Sequence, residues 1–405
     1  MQSPSPDPTG VIVTSGVTAN ALGIIRSLGR RGIPVTYVDS DPGSIARHSR
    51  YINKRLTCKK TNDSDSVFIE LLKDFGEQKG QGMIVIPVGD DAVLALSKHR
   101  DELEPFYHLP VPEHEIAQKL VNKKLFYLML NEMHLPHPKT YFPEGLTELV
   151  LLGKQLPYPY IIKPAVSIPF QQEFRRKVFH VKSPQDLDRA ADKLGGKNME
   201  VMIQEIIPGR EIYSFFTYFN KLSEPLAICG WDKIRQYPLD FGFGTFCKSN
   251  WRPAATEDSI QLLRTIGYYG FAEVEVKKDP GDCKYKIIEI NARTSLQNTL
   301  AEACGADIGY VAYLDAGGRV TEHSTSFHNN ILWTDDFLDI VSFLLHLGRR
   351  DIGKGEIIDS INPRKVHAVA AWDDPLPLFF QLTTLSLRAF HLILGKLNPR
   401  FMSKL

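Results

Sequence analysis

Residues 271–293 read FAEVEVKKDPGDCKYKIIEINAR, and this stretch decides how the rest of the chain is read. Two runs rich in Val and Ile flank Asp279-Pro280-Gly281-Asp282, a Pro- and Gly-bearing turn, so the segment reads as a β-hairpin. Side chains two apart share a strand face. Glu273 and Glu275 therefore lie on one face, with Val274 and Val276 on the other. On the return strand Glu289, Asn291 and Arg293 share a face, backed by Ile288 and Ile290. A hairpin centred near Asp282 sets Glu275 across from Glu289. Two facing carboxylates repel unless a proton or a cation lies between them. Hard oxygen ligands in small number suit Mg²⁺, which completes its shell with water and substrate phosphates. Arg293 beside them would hold an anionic oxygen as charge develops. The competing reading is a solvated strand face with cross-strand pairs.

At 405 residues the chain has room for two or three domains, and 43% hydrophobic with 23% charged residues is ordinary for a globular protein. A formal net charge of +1 argues against a nucleic-acid partner held by bulk charge. The start, MQSPSPDPTG, is polar and Pro-rich, so residues 1–9 are expected to be a disordered tail rather than a signal peptide. No uninterrupted apolar run is long enough for a membrane span. The five cysteines lack a CxxC and read as reduced, buried thiols of a cytoplasmic protein.

Val11–Ser15, a helix over Ala21–Arg31 and Val35–Asp39 form a βαβ unit, hence a parallel sheet. TSGVTANALG lacks two of the glycines of GxGxxG, so a Rossmann-like fold without a dinucleotide is expected. Gly89-Asp90-Asp91 follows the strand Met83–Val88. Asp90 either faces a substrate amine or caps the next helix. Glu115–Met133 reads as one or two helices. Lys163 ends an apolar strand, where an ammonium is costly to bury unless an anion meets it. Ser167–Lys177, with Arg175 and Arg176, reads as a solvated loop or as a flap over phosphates.

Together, IIKP, QEIIPGRE and Glu289-Ile290-Asn291-Ala292-Arg293 resemble the ATP-grasp superfamily. The closer resemblance is to its carboxylate–amine ligase group, which includes D-aspartate ligase, over roughly residues 10–318. It implies an α/β chain: a Rossmann-like domain at 10–117, an ATP-grasp domain at 118–320 with a small lobe at 125–205 and a large lobe at 206–320, and a helical extension at 321–405. It implies that Lys123 and Lys163 contact ATP phosphates, joined from the 167–177 segment by Lys177 or its neighbours Arg175 and Arg176, and that Glu205, Ile206 and Ile207 hold adenine and Glu211 the ribose. It further implies that Glu275, Glu289 and Asn291 ligate two Mg²⁺ ions, with Mn²⁺ as a substitute. Arg293 would stabilise the acyl-phosphate and the tetrahedral intermediate, and Arg235 would clamp an anionic substrate group. The implied partners are a small-molecule acid and an amine, joined with release of ADP and phosphate. Asn122 stands where the group often has Asp, and Ala292 where it often has Pro; neither removes a proposed ligand. Two alternatives share the nucleotide site: a catalytically silent ATP-binding module, and carboxyphosphate chemistry as in biotin carboxylase or carbamoyl phosphate synthase.

Asn330–Leu347 reads as a helix with one apolar face. Within residues 375–394, PLPLFFQLTTLSLRAFHLIL, Leu378, Leu382, Leu385, Ala389 and Leu392 form a helical stripe, with Arg388, Lys396 and Arg400 nearby. The stripe is expected to dock on the protein or at a homodimer interface; the alternative is peripheral contact of 375–400 with the inner face of a membrane.

Overall fold

The computed structural model describes residues 8–16, 18–58, 64–197, 199–319 and 327–384. Among the described residues, three sheets carry the fold. The first is five-stranded and parallel, ordered β3-β2-β1-β4-β5. Its strands are β1 (Val11–Val13), β2 (Val35–Asp39), β3 (Lys54–Thr57), β4 (Met83–Ile86) and β5 (Tyr107–His108). Helix α1 (Thr18–Arg30) makes the first crossover, burying Leu22, Ile25 and Leu28 as its 3.6-residue spacing requires. Helix α2 (Asp90–Lys98) follows β4, and α3 (Lys123–Glu132) follows a separate helix, His114–Val121. The expected 115–133 stretch is thus two helices. Asn122 divides them, its side chain accepting from the N–H groups of Lys124 and Leu125 as an N-cap.

The second sheet is antiparallel, ordered β6-β9-β7-β8. It comprises β6 (Thr140–Tyr141), β7 (Tyr160–Pro164), β8 (Phe179–Val181) and β9 (Val201–Glu205). Between β7 and β8, where a solvated loop or flap was expected, residues form helix α4 (Ser167–Phe174). Apolar contact explains the difference: Phe170 is fully buried and packs edge-on against Phe174 and Phe179.

The third sheet has seven strands in the order β14-β13-β10-β11-β12-β15-β16. These are β10 (Ile212–Phe219), β11 (Pro225–Tyr237), β12 (Phe243–Ser249), β13 (Gly270–Lys278), β14 (Tyr285–Asn291), β15 (Leu332–Thr334) and β16 (Lys365–His367). All neighbours are antiparallel except β15 and β16, which are parallel and joined through α5 (Asp336–Arg349) and α6 (Lys354–Ile361). One core joins the first and third sheets, from Leu22 and Ile25 of α1 to Phe216, Trp231 and Trp333. Gly270 opens β13 at φ +112°, and a Cβ there would lie 2.3 Å from the Pro110 carbonyl oxygen, so the hairpin starts against the chain leaving the first sheet.

Three expectations need correction. Residues 330–347 are not one helix: β15 precedes α5, and the apolar face of α5 points outward. Cys283 is exposed, while the other four cysteines are buried and free. The stripe in 375–394 is described only to Thr384; Leu378 packs against the main core, whereas Leu376, Phe379 and Leu382 are exposed. Leu385, Arg388, Ala389, Leu392, Lys396 and Arg400 lie outside the described residues, as does most of the expected tail at 1–9. Among the described residues, no helix is long and apolar enough to cross a membrane.

Candidate active site

The β13–β14 hairpin has the register its alternation implies, with Glu275 opposite Glu289 and Glu273 opposite Asn291. The pairing then slips by one residue, so Val276 faces Ile287. Ile287 and Ile290, rather than Ile288 and Ile290, are the buried residues behind the acids. Such a bulge leaves backbone groups off the ladder, and neighbouring segments take them up. The Ile287 N–H donates to the Pro136 carbonyl (2.8 Å), and the Tyr127 hydroxyl of α3 donates to the Ile288 carbonyl (2.5 Å).

Each hairpin acid meets a cation. The Lys123 ammonium, in the first turn of α3, lies 3.2 Å from Glu289 Oε2. Lys233 of β11 lies 2.5 Å from Glu275 Oε2 and donates to the Gly242 carbonyl (3.0 Å). Burial alone would raise the Glu289 carboxyl, but the charges of Lys123, Lys177 and Lys233 outweigh it and hold Glu289 well below the usual carboxylate range. Asn291 donates its amide to Glu289 (3.4 Å). Glu273 takes the opposite course: burial, reinforced by Glu289 and Glu275, pushes its carboxyl up against the pull of Arg293.

Arg293 lies 3.4 Å from Glu273 and 3.3 Å from Asp90, the first residue of α2. Asp90 therefore neither caps its helix nor stands alone; it connects the first sheet to the hairpin. Burial would lower the guanidinium, but Asp90, Glu273 and Glu289 together raise it.

Lys163 on β7 is 8% exposed, and its ammonium donates to Tyr127 Oη and Gln204 Oε1, both at 3.0 Å. Both partners are neutral. Burial, with Lys123 adding to it, pushes the ammonium well below its ordinary value. Lys177, beyond α4, donates to the Phe241 carbonyl (3.0 Å) and feels the charges of Glu289 and Glu275, but burial still lowers it.

The other expected nucleotide residues line the passage from β9 to β10, at the far end of the hairpin. Glu205 accepts from the Lys139 N–H (2.8 Å) and lies 3.3 Å from Lys286. Ile206 is half-buried and Ile207 buried. Glu211 sits among Arg252 (3.4 Å), the Tyr285 hydroxyl (3.2 Å) and Lys278 (3.6 Å).

Arg235 is not available as a substrate clamp. It is 1% exposed and bonds Asp339 of α5 through two nitrogens, at 2.8 and 2.5 Å, stacked 4.2 Å from the Phe246 ring. Its anion is internal. The cation of β11 that does reach the acids is Lys233, two residues earlier. The string KIRQYP contained both, and spacing alone could not tell which would meet a helix and which the hairpin.

The donor set fits a hard divalent cation. Glu275 and Glu289 offer carboxylate oxygens from facing positions and Asn291 adds an amide, while the ammoniums of Lys123 and Lys233 each pair with one of the two carboxylates. Among the described residues no group of three or more His, Cys, Asp or Glu is placed to hold a metal, so the remaining ligands would be phosphate and water oxygens.

The family model for the carbamoyl-phosphate synthase L chain ATP-binding domain matches residues 245–320, which include the hairpin. D-aspartate ligase of Enterococcus faecium is 27% identical over 297 residues, 69% of this chain and 70% of that one. Among solved structures, biotin carboxylase of Campylobacter jejuni superposes with a TM-score of 0.62 at 18% identity, over 80% of this chain and 74% of that one. The L-amino acid ligase of Bacillus licheniformis gives 0.58 at 16% identity, over 79% and 76%.

Proposed function

We propose that this chain, a member of the ATP-grasp superfamily, joins the carboxylate of one small molecule to the amine of another at the expense of ATP, releasing ADP and phosphate. The observation that carries the reading is the pairing of Glu275 with Glu289 inside a ring of ammoniums, with Arg293 beside it.

A carboxylate resists amines because its carbonyl is electron-rich and oxide is a poor leaving group; transfer of a phosphoryl group to it removes both obstacles. Mg²⁺, held by Glu275, Glu289 and Asn291, would supply charge neutralisation for that transfer. Lys123, Lys163 and Lys177 bind the phosphates. Glu205, Ile206, Ile207 and Glu211, from the end of β9 to the residue before β10, seat the nucleoside. Arg293, kept charged by Asp90 and Glu273, stabilises the oxyanion that forms when the amine attacks the acyl-phosphate. Helix α4, bridged through Lys177 to Phe241, helps exclude water from that reactive species. The likeness to D-aspartate ligase favours an amino acid as one of the two substrates.

The test is ADP release from Mg-ATP with a panel of amino acids and small acids, with products identified by mass. Glu289→Gln should lower turnover by about a hundredfold while the chain, though less stable without the pairing to Lys123, stays folded by circular dichroism. Tight ATP binding without turnover on any panel points instead to a silent nucleotide-binding module, and turnover that requires bicarbonate points to carboxyphosphate chemistry.

A further inference from the structure

Helices α5 and α6 are built inside out. A helix on a globular surface ordinarily turns its apolar stripe to the core and its polar stripe to water. On α5 the buried residues are Asp339, Ser342 and His346. Asp339 binds Arg235, Ser342 donates to the Gln236 carbonyl (2.9 Å), and His346 meets Asp351 (2.8 Å). The opposite face carries Ile340 and Leu344, each 60% exposed, with Val341 and Leu345 beside them at helical spacing. On α6 Glu356 and Asp359 face Arg210 (3.7 Å) and Lys248 (3.5 Å), while Ile358 and Ile361 are 65% and 76% exposed. Two consecutive helices held to the body by polar contacts, both with branched aliphatics outward, form an apolar face of the kind that marks an interaction surface.

The charges indicate what covers it. The acids of this region are tied into the protein: Asp336 to His367, Asp339 to Arg235, Asp351 to His346, Glu356 to Arg210 and Asp359 to Lys248. Arg350, Lys354 and Arg364 are exposed and have no carboxylate partner among the described residues. Aliphatic residues interspersed with unpaired cations, the nearby acids each meeting a basic or imidazole partner on the body, complement an anionic lipid surface. A second copy of the same face would offer these cations no unpaired carboxylate in return. We propose that α5 and α6 dock this protein on an anionic bilayer, their aliphatic residues at the boundary of headgroups and acyl chains and Arg350 and Lys354 among the phosphates. Because Arg235 bonds Asp339 on the inner face of α5 while Lys233, two residues earlier on β11, meets Glu275, the same strand contacts both the docked helices and the candidate site.

Co-sedimentation of the full chain with vesicles of phosphatidylcholine, with and without phosphatidylglycerol, tests this. Binding is expected only to the vesicles containing phosphatidylglycerol, and it should weaken with salt. Arg350→Glu with Lys354→Glu should lower the partition coefficient roughly thirtyfold or more. Leu344→Ser with Ile358→Ser should also abolish most binding; both pairs alter exposed side chains, so ATP binding and the melting temperature should persist. Absence of sedimentation with anionic vesicles overturns the proposal, as does sedimentation that neither variant pair affects. Light scattering that finds a dimer in the parent and monomers in both variants assigns the face to a second copy and likewise overturns it.

Discussion

Lys163 illustrates how surroundings, rather than residue type, set the chemistry available in this cleft. Its ammonium has a phenol and an amide as partners, and both burial and Lys123 push it below its ordinary 10.5. A lysine lowered in this way is neutral between its native and unfolded values, where the unfolded chain binds the extra proton. Over that interval stability rises with pH, and below it the folded state bears the cost of the buried charge. A nucleotide phosphate placed against Lys163 restores the incentive to protonate. ATP binding at a pH between the native and unfolded values of Lys163 should therefore take up protons, visible as a dependence of the calorimetric heat on the ionisation heat of the buffer. Lys163→Met should abolish that dependence; an unchanged heat would show that Lys163 does not meet the phosphates. Glu289 titrates in the opposite sense. Held low by three ammoniums, it contributes stability that is present above the ordinary carboxylate range and is lost as pH falls through its depressed native value.

At the scale of elements, the hairpin and α5 are instructive for different reasons. Alternation along β13 and β14 sufficed to set Glu275 against Glu289, because a strand has a period of two and its apolar face must be buried. The slip after that pair was not legible, since it depends on Pro136 and Tyr127, which reach the bulge from elsewhere in the chain. Tyr127→Phe should loosen the bulge and Lys163 together, lowering affinity for ATP more than it lowers the melting temperature. Periodicity likewise marked α5 as two-faced. Which face turns inward was decided by Arg235, whose burial requires Asp339 as its counter-charge. Asp339→Ala leaves that guanidinium buried without its carboxylate and should cost about 3–5 kcal/mol, read by chemical denaturation. A loss under about 1 kcal/mol, the ceiling for an exposed pair, would mean the pair is not the anchor of α5.

Across the whole molecule, ion pairs between residues far apart in sequence hold the sheets in register. Lys123 and Glu289 are 166 residues apart, and Arg26 and Asp374 are 348 apart. Arg26 is 1% exposed and donates to the Asp374 carboxylate (3.0 Å), the Asp374 carbonyl (2.8 Å) and the Val369 carbonyl (2.8 Å), while Ser49 adds a bond to the same carboxylate (2.7 Å). Asp374→Ala should release the extension from α1, lowering the melting temperature and exposing residues after 364 to protease while β13 and β14 stay protected. Equal protection of both regions would count against this tether. The βαβ start, the hairpin and its acids followed from sequence, because local periodicity and turn chemistry act over neighbouring residues. Whether Lys233 or Arg235 meets the acids, whether Asp90 caps a helix or pairs with Arg293, and which side of α5 is wet were decided only by the tertiary structure. Each depends on a counter-charge supplied from a distant segment, and desolvation makes that pairing obligatory only once the chain has closed around it.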